Sequence, residues 1–187
     1  MHGYFIINTC FFFHIPYHFV NHTTSLGGWT NSFKILAFSR SAFVIAGTYG
    51  VDELEADSHV FLSKLIPWGR IFFGIMMLVF GIDHFLYYQF VETLVPRWIP
   101  FSLFWTYFSG VALIGAGISF ICKIKVRLIG ILTAIMLFTW FLILHIPRAV
   151  TMPPEADNGN EITSVFQAFA FSGIALLIAL RSNQRFS

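Results

Sequence analysis

The sequence contains four long apolar stretches, at residues 68–88, 102–122, 126–146 and 163–180. A helix of about 20 mostly apolar residues crosses the hydrocarbon core of a bilayer and satisfies its backbone N–H and C=O groups internally. The stretches are continuous and do not alternate with a period of two, which excludes the strands of a membrane barrel. Each stretch is therefore predicted to be a transmembrane helix, and together they predict an all-α bundle of four spans.

Composition places the chain in the lipid bilayer. Its residues are 57% hydrophobic and 11% charged, whereas a soluble domain is about 25% charged. The formal charge of +2 is too small for a nucleic-acid footprint, so nucleic acid is not an expected partner. The sequence has no P-loop, GxSxG or HExxH motif, and it therefore contains no recognisable catalytic motif.

Basic residues predict the orientation of the bundle. Lys123, Lys125 and Arg127 lie between the second and third stretches, and Arg181 and Arg185 follow the fourth. Lys and Arg in short loops favour the cytoplasmic side of a membrane. The sequence therefore predicts a multi-pass protein with a cytoplasmic C-terminus.

Two short matches indicate an internal repeat. The tripeptide His-Ile-Pro occurs at residues 14–16 and again at 145–147, and residues 33–39 match residues 166–172. The matched segments keep the same order and the same orientation across the membrane, as in a parallel repeat. A chance match, produced by helix-end chemistry and a Phe-rich composition, is the alternative explanation.

The repeat suggests a division of the chain into three parts. Residues 1–50 would be a partial first repeat, formed by the end of helix 3 and helix 4 of a truncated unit. Residues 51–66 would be a cytoplasmic linker, and residues 67–181 a complete four-helix unit. We infer about eight spans in the native protein, with Met1 either a mis-assigned start or the edge of a gene fragment.

Small residues are spaced for close helix contacts. Gly74 and Gly81 fall on one stripe of the first long helix, and the second offers Ala112, Gly115 and Ala116. Small side chains allow transmembrane helices to approach closely. These five residues are predicted to be helix-packing positions, and packing is the alternative to any ligand role for this stripe.

Ionisable residues near one end of the bundle form the candidate ligand or proton site. Asp83, His84, His145 and Arg148 lie at one membrane level, and ionisable groups inside a span usually face the interior, a cavity or a partner. His84 could exchange a proton while Asp83 orients it. The structural alternative is hydrogen bonding to interfacial tyrosines. Pro147 is expected to end the third helix.

The candidate ligand of these residues is a quinone or another small polar molecule. A haem held by His84 and His145 is disfavoured, because two histidines on separate helices are weak evidence for haem ligation. No metal site is predicted, since the sequence has no CxxC motif and no Cys/His pair at metal-ligand spacing. Cys10 and Cys122 lie in apolar surroundings and are predicted to be core residues.

Several motifs together resemble the DoxX-like family of small membrane proteins. They are GRIFFG at residues 69–74, GIDHF at 81–85, LVPRWIP at 94–100, FWTYFSG at 104–110 and LHIP at 144–147. The resemblance covers about residues 67–180. It implies a four-helix bundle in a bacterial inner (plasma) membrane. Some members of that family are subunits associated with quinol oxidation, thiosulfate oxidation or oxidative-stress complexes. It carries over no catalytic residue.

The expected function is therefore that of an accessory subunit in a membrane redox complex linked to quinol, with other subunits of that complex as partners. A small-solute transporter is one alternative, because parallel repeats and an intramembrane Asp/His pair also fit transport. A structural or assembly protein without a ligand is another.

Overall fold

The structure, a computed structural model, describes residues 68–151 and 160–182. These residues are almost entirely helical, and neither range contains a strand. The elements are α1 (Gly69–Leu86), α2 (Tyr88–Leu94), α3 (Ser102–Cys122), α4 (Val126–Trp140), a π-helical segment (Phe141–His145), α5 (Ile146–Thr151) and α6 (Asn160–Arg181).

The prediction of four membrane-spanning helices is confirmed. Four helices are long and apolar enough to cross a bilayer: Gly69–Leu86, Ser102–Cys122, Val126–Thr151 and Glu161–Arg181. The third of these consists of α4, the π-helical segment and α5. The partial first repeat at residues 1–50 and the linker at 51–66 lie outside the described residues.

Glycines bring α1 and α3 into backbone contact. A Cβ added to Gly81 would lie 2.8 Å from the carbonyl oxygen of Gly110, and one added to Gly74 would lie 3.0 Å from that of Gly117. The two contacts run in opposite directions along the two helices, so α1 and α3 are antiparallel. The backbones can meet because glycine has no side chain, whereas any larger residue at these positions would hold the two helices apart.

A second close pair is formed by α4 and α6. Gly130 faces Ala175 and Ala179, and a Cβ on Gly130 would lie 2.8 Å from the Cβ of Ala179. The Ser172 hydroxyl donates to the carbonyl oxygen of Ala134 at 3.0 Å. Small residues and the hydrogen bond from Ser172 to Ala134 therefore help to hold this pair together.

Large side chains fill the space between the two helix pairs. The Phe73 ring lies 5.5 Å from that of Phe120 and 6.0 Å from that of Phe171, measured between centroids. Met76 and Met77 are at most 1% exposed. Because α1 and α3 contribute Phe73 and Phe120 while α6 contributes Phe171, these contacts join the pairs into one bundle.

Pro147 does not end the third span, so that prediction is wrong. The helix widens over Phe141–His145 and continues to Thr151. Proline has no N–H, and its ring clashes with the carbonyl four residues earlier in a regular α-helix. The backbone N–H of Ile146 instead donates to the carbonyl of Phe141. This wider π turn accommodates the ring and lets the helix continue.

The predicted packing positions differ in their surroundings. Gly74 and Gly81 lie in the α1–α3 contact, and Ala116 is 1% exposed. Ala112 is half-buried, whereas Gly115 is exposed. A Cβ added to Gly115 would meet no heavy atom within 4 Å. Within the described residues, Gly115 therefore makes no close helix contact.

A tight basic turn joins α3 to α4. Lys123 and Lys125 adopt positive φ angles of 61° and 45°, which lets three residues reverse the chain. The backbone N–H of Ile124 donates to the carbonyl of Ser119 at 3.1 Å. Cys122, at the end of α3, is exposed, so its prediction as a core residue is wrong. The error arises because apolar neighbours in sequence do not cover the last residue of a helix.

Candidate ligand cavity

A cavity of about 470 Å³ lies at the end of the bundle where α1 ends and α6 begins. Asp83, His84, His145 and Arg148, the four residues of the candidate site, all line it. They come from α1, the π-helical segment and α5, so only folding brings them together. The volume is within the range of small-molecule sites in proteins.

His84 has a defined hydrogen bond on one side of its ring. Its Nδ1 lies 2.7 Å from the carbonyl oxygen of Phe80, one turn earlier in α1. A carbonyl oxygen only accepts, so Nδ1 carries the proton, and Nε2 is the acceptor nitrogen of the neutral ring. Asp83, the next residue toward the N-terminus, has a buried Oδ1 atom.

The π-helical segment positions His145. Both His145 and its neighbour Leu144 line the cavity, and the Nδ1 atom of His145 is buried. A π turn contains more residues than an α turn, so it changes the direction of the side chains that follow it. Such turns occur frequently at functional sites. Here the turn lies directly before Ile146 and Pro147, and it contains His145.

Arg148 forms an ion pair with Glu161 across the cavity wall. The Arg148 Nε donates to Glu161 Oε1 at 3.0 Å, and Nη2 donates to the same oxygen. The two side chains are only 23% and 14% exposed. Glu161 is a residue of the site that was not predicted from the sequence. Its position in the first turn of the last span, 13 residues after Arg148, is the sequence feature that could have indicated this ion pair.

Five other polar residues on the cavity wall were also not predicted from the sequence. They are small hydroxyls, an amide and a phenol: Thr106, Ser109, Ser164, Gln167 and Tyr87. Thr106 donates to the carbonyl of Ser102 at 3.0 Å. Single hydroxyls on apolar helices are common at packing positions, so the sequence did not distinguish these residues.

The rest of the wall is apolar and aromatic. Trp105 and Trp140 meet edge to face with their ring centroids 6.3 Å apart. The innermost lining residues are Phe80, Leu113, Met136, Leu137 and Phe171. The cavity thus combines an apolar interior with ionisable groups near the end of the bundle, which suits a ligand with a polar group and an apolar body.

The small residues of α3 line a second cavity. Ala112, Gly115 and Ala116 border an almost wholly apolar space of about 500 Å³ between α3 and α4. No ionisable residue except Lys125 is among its described lining residues. In residues 68–151 and 160–182, no group of three His, Cys, Asp or Glu side chains is placed to hold a metal ion.

The fold and the first cavity define a helical, multi-pass membrane protein with an amphipathic cavity at one end of its bundle. A family model described as Domain of unknown function (DUF8561) matches residues 73–179, more than half of the chain. The chain belongs to this family. The matched range contains every residue that lines the cavity. No curated protein and no solved structure matches the chain.

Proposed function

We propose that this protein is a ligand-binding accessory subunit of a membrane redox complex, and that a quinone-type molecule is the ligand of the cavity. The observation that carries the proposal is the convergence of Asp83, His84, His145 and Arg148 on one cavity with aromatic and apolar walls. A quinone has a polar ring that forms hydrogen bonds and a hydrocarbon tail that stays in lipid. The two halves of the cavity match these two parts.

The side chains have different roles in this proposal. The Nε2 atom of His84 contacts the polar ring, and Asp83 lies beside it. Arg148 and Glu161 join α5 to α6 and thereby hold the wall of the cavity in place. Partner subunits in the membrane carry out electron transfer.

The proposal also places the protein in a bacterial inner membrane, with subunits of a redox complex as partners and with a cytoplasmic C-terminus. The resemblance to DoxX-like proteins supports a bacterial inner membrane and partners from a redox complex. The basic turn with Lys123 and Lys125 supports a cytoplasmic position for that end of the bundle and for the C-terminus.

Transport of a small solute is the second candidate function, favoured by Asp83 and His84 within a span. Packing beneath the cavity supports binding instead. Phe73, Met76, Met77 and Phe120 are each at most 1% exposed, so closely packed side chains fill the bundle beyond the cavity. Substrate-dependent uptake into vesicles containing the purified protein would favour transport.

The experiment is mass spectrometry of the proteins and small molecules that co-purify with the tagged chain from native membranes in mild detergent. We expect a quinone and subunits of a redox enzyme at stoichiometric levels. His84→Ala and His145→Ala should lose the quinone, whereas Gly115→Ala, a matched substitution outside this cavity, should retain it. Recovery of the protein without quinone or redox subunits would contradict the proposal.

A further inference from the structure

We infer that the second cavity, between α3 and α4, binds an acyl chain of an anionic phospholipid whose headgroup contacts Lys125 and Lys123 in the turn that joins these helices. This binding site goes beyond the proposed function and does not depend on it. The shape of the second cavity, its length along the bundle and the charge at its end carry the inference.

The second cavity is a space that the close helix contacts of the bundle leave open. Ala112, Gly115 and Ala116 of α3 line it, and a Cβ added to Gly115 would meet no heavy atom within 4 Å. Its floor is buried, since Ala116 is 1% exposed, whereas Ile118 and Leu132 on its rim are 47% and 53% exposed. In a bilayer this exposed rim faces lipid, so an acyl chain can enter from the side.

The second cavity is about as long as one leaflet of a bilayer. Along α4 its lining residues run from Lys125 to Met136, and along α3 they run from Phe108 to Ser119. Each run rises about 16 Å at 1.5 Å per residue, which is about half of a hydrocarbon core of about 30 Å. The second cavity therefore begins at the basic turn and ends near the middle of the membrane, at Phe108 and Met136, and Met136 also lines the first cavity.

The end of the second cavity at the turn carries positive charge. Lys125 lines the cavity, Lys123 lies two residues earlier, and both are exposed. In the part of the chain that the structure describes, the acidic residues lie at the opposite end of the bundle: Asp83, Glu92 and Glu161. Basic pockets between transmembrane helices bind anionic lipid headgroups. An anionic headgroup at the turn would therefore meet cations without a competing acid among the described residues.

These dimensions favour a phospholipid over other occupants. A helix about 10 Å wide and 16 Å long occupies more than about 1,000 Å³, so it does not fit a space of about 500 Å³. A water-soluble phosphate would fill only the charged end. A phospholipid places its charge at the membrane surface and its chains toward the middle of the bilayer, in the same order as the turn and the apolar walls. Each buried CH₂ group adds to its binding free energy.

Native mass spectrometry of the purified full chain tests the inference. The probes are phosphatidylglycerol, phosphatidylcholine with the same acyl chains, and glycerol 3-phosphate, each titrated into detergent-solubilised protein. We expect phosphatidylglycerol to bind about tenfold more tightly than phosphatidylcholine, since each lysine near an anionic headgroup favours binding by up to about fivefold. Glycerol 3-phosphate should not displace either lipid, because it has no acyl chain.

One pair of variants tests the headgroup contact. Lys125→Gln removes the charge that lines the second cavity, so the ratio of the phosphatidylcholine to the phosphatidylglycerol dissociation constant should fall by up to about fivefold. Arg97→Gln removes the same charge at the opposite end of the bundle, where Arg97 is exposed, and should leave the ratio unchanged. The ratio does not depend on the fraction of protein that is correctly folded, so a loss of stability cannot imitate the effect.

A second pair of variants tests the position of the acyl chain. Gly115→Leu adds a side chain to the wall of the second cavity and should weaken the binding of both lipids at least about fivefold, because it displaces methylene groups of the chain. Gly173→Leu makes the same change on α6, at an exposed glycine that also has open space around its Cβ and does not line the second cavity. It should leave lipid binding unchanged.

The outcomes separate the parts of the inference. Equal binding of the two lipids, or a ratio that Lys125→Gln and Arg97→Gln lower alike, would overturn the headgroup contact. If Gly115→Leu and Gly173→Leu bind lipid with the same affinity, the acyl chain does not lie in the second cavity. Failure of both lipids to bind would overturn the whole inference. None of these results concerns the quinone in the first cavity, so the proposed function is tested separately.

Discussion

At the scale of single residues, the pair of Arg148 and Glu161 connects two elements that are not continuous in the described chain. Arg148 lies in α5 and Glu161 in the first turn of α6. Both side chains are largely buried, so removing one partner leaves the other charged group in a poorly solvated position. The pair should therefore stabilise the wall of the cavity more than an exposed ion pair would.

A double-mutant cycle measures this contribution. Glu161→Gln and Arg148→Gln should each lower the free energy of unfolding in detergent, and the double variant should lose less than both losses combined. We expect a coupling free energy of about 1–3 kcal/mol. Additive losses, with a coupling near zero, would show that the pair behaves like an exposed one.

At the scale of elements, glycines on α1 and α3 set the distance between these two helices. Gly74 and Gly81 are seven residues apart on α1, as are Gly110 and Gly117 on α3, and the four form two backbone contacts. The sequence predicted the two α1 positions. It did not predict Gly110 and Gly117, because α3 carries small residues on more than one face and packing alone decides which face meets α1.

Two alanine substitutions distinguish contact glycines from exposed ones. Gly81→Ala places a Cβ 2.8 Å from the carbonyl oxygen of Gly110, so it should lower the free energy of unfolding by about 1–3 kcal/mol. Gly115→Ala meets open space and should leave stability unchanged or raise it by up to about 1 kcal/mol, since alanine favours helix. Denaturant unfolding in mixed micelles measures both. Equal losses would contradict the α1–α3 contact.

At the scale of the whole molecule, the ionisable cavity and the basic turn lie at opposite ends of the bundle. The span Val126–Thr151 has 26 residues and is about 39 Å long at 1.5 Å per residue, enough to cross a bilayer. Cys122 precedes it at the end with the basic turn, and Val150 lies near its other end. Both residues are exposed, so they report on the two membrane sides.

Cysteine labelling in intact cells tests the predicted orientation. In a Cys10→Ser background, Cys122 should react with a membrane-permeant maleimide and resist an impermeant one. In a Cys10→Ser/Cys122→Ser background, Val150→Cys should react with both. The reverse pattern would place the basic turn outside the cell and contradict the orientation predicted from Lys123, Lys125 and Arg127.

Much of the fold was predictable because spans depend on local composition. The second predicted stretch, 102–122, has the same bounds as α3, and the other three differ from their helices by a few residues. Four ionisable residues of the cavity were predictable too, namely Asp83, His84, His145 and Arg148, because a charged group inside an apolar helix costs free energy and is easily recognised in a sequence.

The amino-acid sequence alone indicates a helical membrane bundle with ionisable residues near one end. The packing of the helices in three dimensions shows that Asp83, His84, His145 and Arg148 share one cavity, that Glu161 pairs with Arg148, and that the helix continues past Pro147. The physical reason is that burial in lipid acts on each helix separately, whereas a cavity, an ion pair and a helix contact depend on how helices pack against one another.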